Sequence, residues 1–142
     1  MTVLTDPSGW FTLEVPEGWG CRSEDCVTVL TSPRGFGILY LSAARHVRGR
    51  QSSFGGADFL TRFLQSLGVP VDASGIHASA GAGCRIYTYR HQTPAGHWSF
   101  WSITDDETAM LICHATETPP GEEGHEVDSI VQSVRLYHSA FH

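Results

Sequence analysis

Lysine is absent from this chain. Its nine strongly basic residues are all arginines, set against fifteen carboxylates, and the formal net charge is −6. Sequence-independent binding to nucleic acid needs a basic surface that releases counterions from phosphates, so this balance excludes that class of partner. No apolar run reaches membrane-spanning length, and the opening MTVLTDPSGWF carries neither a basic leader nor the apolar segment that directs export. The expectation is a cytoplasmic protein without a membrane span. Cysteine is scarce, and in a reducing compartment the four residues Cys21, Cys26, Cys84 and Cys113 imply no disulfide framework. Cys84 and Cys113 fall in strand-like segments and read as small core residues.

Several chemical motifs are also missing. Cys21 to Cys26 is a C-x4-C loop, a spacing that fits neither a redox C-x-x-C nor an ordinary zinc knuckle. A disulfide between the two under oxidation stays open, whereas a reactive Cys21 thiolate favoured by Arg22 is opposed by Glu24 and Asp25. There is no H-E-x-x-H for a metal and no G-x-S-x-G elbow for a nucleophilic serine. The clusters Gly35–Gly37 and Gly81–Gly83 lack both the trailing glycine of a dinucleotide fingerprint and the lysine of a P-loop. No cofactor and no metal are expected.

What is present suits one folded domain over residues 1–142. A hydrophobic fraction of 41% with 17% charged residues offers enough apolar surface to offset the entropy of ordering the chain. In WFTLEVPEGW, Phe11, Leu13 and Val15 alternate with Thr12 and Glu14, the pattern of a strand with one buried face. Pro16 removes a ladder donor and Gly18 permits positive φ, so the strand ends there and Trp19 returns as a lid over one end of the core. Val27–Ser32 and Gly35–Ala43 read as two further strands joined by a Ser-Pro-Arg-Gly turn. GGADFLTRFLQSLGVP predicts a helix that begins near Asp58 and stops at Gly68 and Pro70. Its apolar stripe of Phe59, Leu60, Phe63, Leu64 and Leu67 is expected to bury Phe59, Phe63 and Leu67 against a sheet.

GCRIYTYRHQ, HWSFWSIT and TAMLICHAT, separated by Thr-Pro-Ala-Gly and Asp-Asp-Glu-Thr, predict a three-strand antiparallel meander, preceded by a short strand at Ile76–Ala80. EEGHEVDSIVQSVRL predicts a closing helix with Val127, Ile130, Val131 and Val134 on one stripe. Four-residue loops in the meander put Tyr87, Tyr89, His91, Trp98, Phe100, Leu111 and Cys113 on one sheet face. Ile86, Thr88, Trp101, Ile103, Met110 and Ile112 share the other. Both faces are apolar, so both need cover. The expected fold class is α+β, a mostly antiparallel sheet of about six strands with a helix on each face, an α/β/α sandwich.

The same register sets His97 and His114 diagonally on adjacent strands near Ser99 and Arg90, with Trp101 beside them. His97, Ser99 and His114 mark the candidate pocket of a small-ligand or hydrolytic protein, and Arg90 and Trp101 join them as candidate binding residues. Among serine–histidine pairs, only Ser99 and His114 are brought close, with no evident acid to orient the histidine. A second candidate is electrostatic. Arg45, Arg48 and Arg50 cluster within six residues, while eight carboxylates from Asp105 onward face Arg135 alone. Such patches serve a solvated surface, a homodimer or a basic partner, and the sequence leaves the three open.

The order of an early strand ending in VPEGW, a middle HWSFW strand, TAMLICHAT and a final helix with SIVQSVRL resembles the Mog1/PsbP-like superfamily over almost the whole chain. Its small bacterial members show an F-x-(hydrophobic)-x-x-P-x-x-W opening and a terminal I-x-x-S-(hydrophobic) helix. Members include a nuclear-transport GTPase binder, an extrinsic photosystem subunit and bacterial chaperones that shield hydrophobic helices. The resemblance therefore implies a non-catalytic accessory module with a protein partner.

Overall fold

The computed structural model describes residues 2–6, 9–24, 27–33, 37–45, 57–81, 83–105, 108–117 and 121–137. Among them the chain forms ten strands and two α-helices. The strands are β1 (Thr2–Thr5), β2 (Phe11–Val15), β3 (Gly20–Glu24), β4 (Val27–Thr31), β5 (Gly37–Arg45), β6 (His77–Ala80), β7 (Arg85–Thr93), β8 (Gly96–Thr104), β9 (Thr108–Thr116) and β10 (Arg135–Leu136). The helices are α1 (Asp58–Ser66) and α2 (Gly121–Gln132). Seven strands make one antiparallel sheet in the order β3-β4-β5-β9-β8-β7-β6, and a separate three-stranded sheet has the order β1-β2-β10.

The fold is α+β with a large antiparallel sheet, and its strand content exceeds the expected six. The additions have a common physical cause. β3 is exposed along its whole length and shows no apolar alternation, so its strand geometry comes from pairing with β4. β1 and β10 flank β2, whose Phe11, Leu13 and Val15 supply the burial. SVRL is therefore not the tail of the closing helix: Arg135 and Leu136 leave α2 to pair with Thr12 and Phe11.

The meander register is the expected one. Tyr89 stands opposite Phe100 and Phe100 opposite Cys113 on one face; Ile86, Ile103 and Met110 align on the other. The second face joins the larger apolar cluster, in which Trp101, Ile103 and Ile112 pack with Leu13 of β2 and Val127 and Ile130 of α2. The first face joins a smaller cluster with Leu60 and Leu64 of α1.

α1 is turned relative to the expectation. Leu60 and Leu64 are fully buried, Phe59 and Phe63 are half-buried, and Leu67 is 54% exposed. The five apolar residues cover more arc than the sheet can bury, and the branched leucines at its centre take the inner position. Phe63 lies edge-on to Phe100 with ring centroids 6.5 Å apart. The helix stops as the sequence dictates: Gly68 takes φ +76°, its N–H donates to Gln65 O, and Val69 N–H donates to Leu64 O.

Trp19 is half-buried and packs against the larger cluster after the Gly18 turn, at φ +87°. Its indole Nε1–H donates to Glu126 Oε2 of α2 at 2.7 Å. The lid is thus tied by a charged acceptor as well as by apolar contact.

Candidate functional site

On the face of the large sheet that meets α2, cross-strand pairing builds a row from Arg90 (β7), Ser99 (β8) and His114 (β9). The next row outward carries Gln92 and His97, and the next row inward Trp101. The first turns of α2 pass over this end of the sheet. Gly121, Gly124, His125 and Asp128 follow helical spacing along one edge of α2, and between them and the strands lies a cleft of about 430 Å³.

Five of the residues singled out in the sequence, Arg90, His97, Ser99, Trp101 and His114, border this one cleft. Their exposures differ. Arg90 is exposed, His97 and Ser99 are half-buried, and Trp101, at 4% exposure, is mainly a core residue beneath the floor. The basic cluster does not join them: Arg48 and Arg50 lie outside the described residues, and Arg45 is described only through its backbone, paired with Thr108. Cys26 also lies outside them, while Cys21 is an exposed free thiol on β3.

His114 is 3% exposed, and its Nε2 lies 3.0 Å from Oε2 of Glu123, itself 1% exposed. This buried contact joins β9 to the first turn of α2. Two features offset the cost of burying this carboxylate: the imidazole, and the first turn of α2, whose unpaired N–H groups favour negative charge. Oε1 has no hydrogen-bond partner among the described residues. β5 presses directly on the pair at Gly37, where a Cβ would fall 2.5 Å from Glu123 Oε2 and 2.7 Å from His114 Nε2.

Glu123 was not among the residues singled out, yet a signal for it exists. The stripe of Val127, Ile130, Val131 and Val134, continued back by one turn, lands on position 123. The carboxylates at the start of α2 read as solvated, which hid it. Asp128, also not singled out, is off that stripe; its Oδ1 lies 3.7 Å from Arg90 Nη2 across the mouth of the cleft, with both side chains more than half exposed. At that exposure the pair is weak and separable.

A second, more apolar depression of about 350 Å³ lies on the opposite sheet face, bordered by Leu67, Val69, Phe100 and Cys113. The two meet at His91 and Trp98, which border both and whose rings stand 6.0 Å apart. This is the end of β7 beyond the reach of β6, whose pairing stops at Thr88. Burial pushes the Cys113 thiol up to about 11, so it stays protonated and unreactive at neutral pH. Among the described residues, no three His, Cys, Asp or Glu side chains cluster closely enough to hold a metal ion. No described helix is long and apolar enough to cross a membrane.

No protein-family model matches this chain, and no curated protein matches it. Solved structures do. The cyanobacterial PsbP (CyanoP) of Synechocystis sp. superposes with a TM-score of 0.69 at 15% identity, over 96% of this chain and 92% of that one. A Bacteroides thetaiotaomicron protein superposes with a TM-score of 0.68 at 13% identity. It is matched over 96% of this chain, which spans 48% of that protein's length. At these identities the likeness concerns backbone architecture alone. The chain has a PsbP/Mog1-like fold.

Proposed function

We propose that this chain is a single-domain, non-catalytic accessory module, layered with a helix on each face of its large sheet, which holds its partner in the cleft beneath α2. The carrying observation is the convergence of Arg90, His97, Ser99 and His114 from three strands, and of His125 and Asp128 from α2, on one concavity. Its size falls in the range of about 300–1,000 Å³ typical of ligand sites. The fold shared with cyanobacterial PsbP supports a binding role by analogy only. The cytoplasmic setting is part of the same reading and draws on the free thiols Cys21, Cys84 and Cys113.

A hydrolytic reading has one specific observation behind it. Ser99 stands directly opposite His114, and Glu123 supplies the acid that holds the imidazole. Against it, no hydrogen bond joins Ser99 to His114 among the described residues. A serine needs its base within hydrogen-bond reach to become a nucleophile.

The two readings separate in one experiment. Wild type and Ser99→Ala are assayed on p-nitrophenyl esters and phosphates, and a photo-crosslinking residue is placed at position 97 and, as control, at Arg22 on exposed β3. The binding reading expects no turnover above buffer and an adduct specific to position 97. Turnover abolished by Ser99→Ala, or identical adducts from both positions, overturns it.

A further inference from the structure

A stretch of sheet edge lies open between the cleft and the depression on the opposite face. We propose that this edge takes an extended foreign peptide as an added strand, with neutral polar side chains entering the cleft and apolar ones entering the depression; this rests on the cleft being the binding site. β6 pairs with β7 only as far as Thr88, and β7 runs on to Thr93 with no strand outside it among the described residues. Thr93 and Gly96 flank a two-residue turn and must bond each other, so His91 and Thr93 direct their N–H and C=O groups at β8. Arg90 and Gln92 direct theirs outward. Their side chains are exposed as well. Donors and acceptors set at ladder spacing along an edge are matched by another extended backbone.

The flanks of the edge specify the side chains. Successive residues of a strand point to opposite faces, so a strand laid along β7 sends alternate side chains to its two sides. On the α1 side they meet Leu67, Val69, Trp98 and Phe100 around the depression of about 350 Å³. Leu67 stands 54% exposed at its rim, and a leucine- or phenylalanine-sized side chain seated there would cover it. On the α2 side they meet Arg90 and Asp128, opposite charges 3.7 Å apart, together with Ser99. That balance suits a neutral hydrogen-bonding side chain better than a charge of either sign. β3 and β6, the terminal strands of the sheet, are exposed at every residue and border neither hollow, so their edges lack this setting. A second copy adding through the same stretch would offer RHQT, which has no apolar side chain for the α1 side. The occupant is therefore a foreign segment that alternates apolar and neutral polar residues.

Position 92 separates backbone pairing from side-chain contact. Gln92→Pro removes an outward N–H and breaks no bond to β8, a change that an edge strand tolerates, whereas Gln92→Ala keeps the N–H and removes only the side chain. The whole chain is panned against a phage-displayed random library of peptides about eight residues long, within the usual length of a strand. Enriched peptides are synthesised and their binding followed by fluorescence anisotropy. They should alternate apolar and neutral polar residues. Gln92→Pro, with its circular dichroism unchanged, should weaken them about tenfold or more, and Gln92→Ala by less than about threefold. In the wild type, bound peptide should slow amide exchange at Arg90 and Gln92. No enrichment over the Gln92→Pro protein, enriched peptides without alternation, or no added protection at those two amides overturns the proposal. If Gln92→Pro binds the peptides as well as wild type while Ser99→Trp abolishes binding, strand addition is wrong and the cleft stands. If Gln92→Pro abolishes binding and Ser99→Trp leaves it intact, the peptide pairs without entering the cleft, and both this proposal and the cleft reading fall. A wild-type dimer in sedimentation that Gln92→Pro dissociates makes the occupant a second copy and overturns the foreign peptide.

Discussion

Replacing Gly37 with alanine adds one methyl group against the buried His114–Glu123 pair. The new Cβ would sit 2.5 Å from Glu123 Oε2, 2.7 Å from His114 Nε2 and 2.9 Å from the Ala115 carbonyl oxygen. Oε2 alone would have to retreat by about 0.9 Å, from 2.5 Å to the 3.4 Å at which ordinary contact begins. The carbonyl belongs to the β5–β9 ladder and has little freedom to move. The strain of overpacking costs about 1–3 kcal/mol. Separating the 3.0 Å pair brings the total toward the roughly 3–5 kcal/mol of a broken buried pair. A loss near 3 kcal/mol lowers Tm by about 6–12 °C in a chain of this size. Urea unfolding followed by circular dichroism measures it. In Gly37→Ala/Glu123→Ala the closest contact is gone, so the double variant should be more stable than the summed single losses imply, by about 0.5–3 kcal/mol. A cost below about 0.5 kcal/mol for Gly37→Ala, or strict additivity, would refute the packing of β5 on this pair.

The orientation of α1 is tested by a contrast: Leu64→Ala should lose about 2–5 kcal/mol, as a fully buried leucine does, and Leu67→Ala should stay within about 0.5 kcal/mol. Similar losses at both positions would restore the expected stripe. The thiols give a pH prediction. Burial raises Cys113 to about 11, and burial with the nearby Asp105 charge raises Cys84. The folded state therefore keeps protons that the unfolded chain releases near pH 9. The stability involved is fully present below pH 9 and is lost as pH rises toward 11. Denaturation midpoints across that range should fall, and Cys113→Ala should flatten the fall. At pH 8 a thiol reagent should modify exposed Cys21 first, with Cys84 and Cys113 reacting on unfolding.

The sheet wall of the cleft was legible because turns fix register. Thr93–Gly96 and Asp105–Thr108 each close a hairpin, and from those two loops every pairing between Arg85 and Thr116 follows, including Ser99 opposite His114. The helix wall was not. Which side of α2 faces the sheet depends on docking, and Glu123 lies on the buried stripe while carrying a charge that usually marks the opposite side. β3 was illegible for a related reason. GCRSE has no apolar period, and only its neighbour makes it a strand. Local pattern reports burial, and it is silent where a segment is ordered by backbone pairing or by one buried polar contact.

The placement of α2 connects these points to the site. Val127, Ile130, Val131 and Val134 hold it to the core, but apolar packing alone tolerates small rotations and slides. Three polar links, each to a different element, remove that freedom. Glu123 meets His114 on β9, Glu126 accepts from Trp19 beside the β2–β3 turn, and Ser133 Oγ accepts from the Glu14 N–H on β2. Spread from the first turn of α2 to the residue just past its end, they fix its rotation and its position along its axis. Gly121, Gly124, His125 and Asp128 are thereby held at a set distance from Arg90 and His97 before any ligand arrives. A cleft formed in this way does not spend binding energy on ordering its walls. The opening motif that ends β2 and returns Trp19 as a lid is thus also one of the three contacts that give the cleft its width.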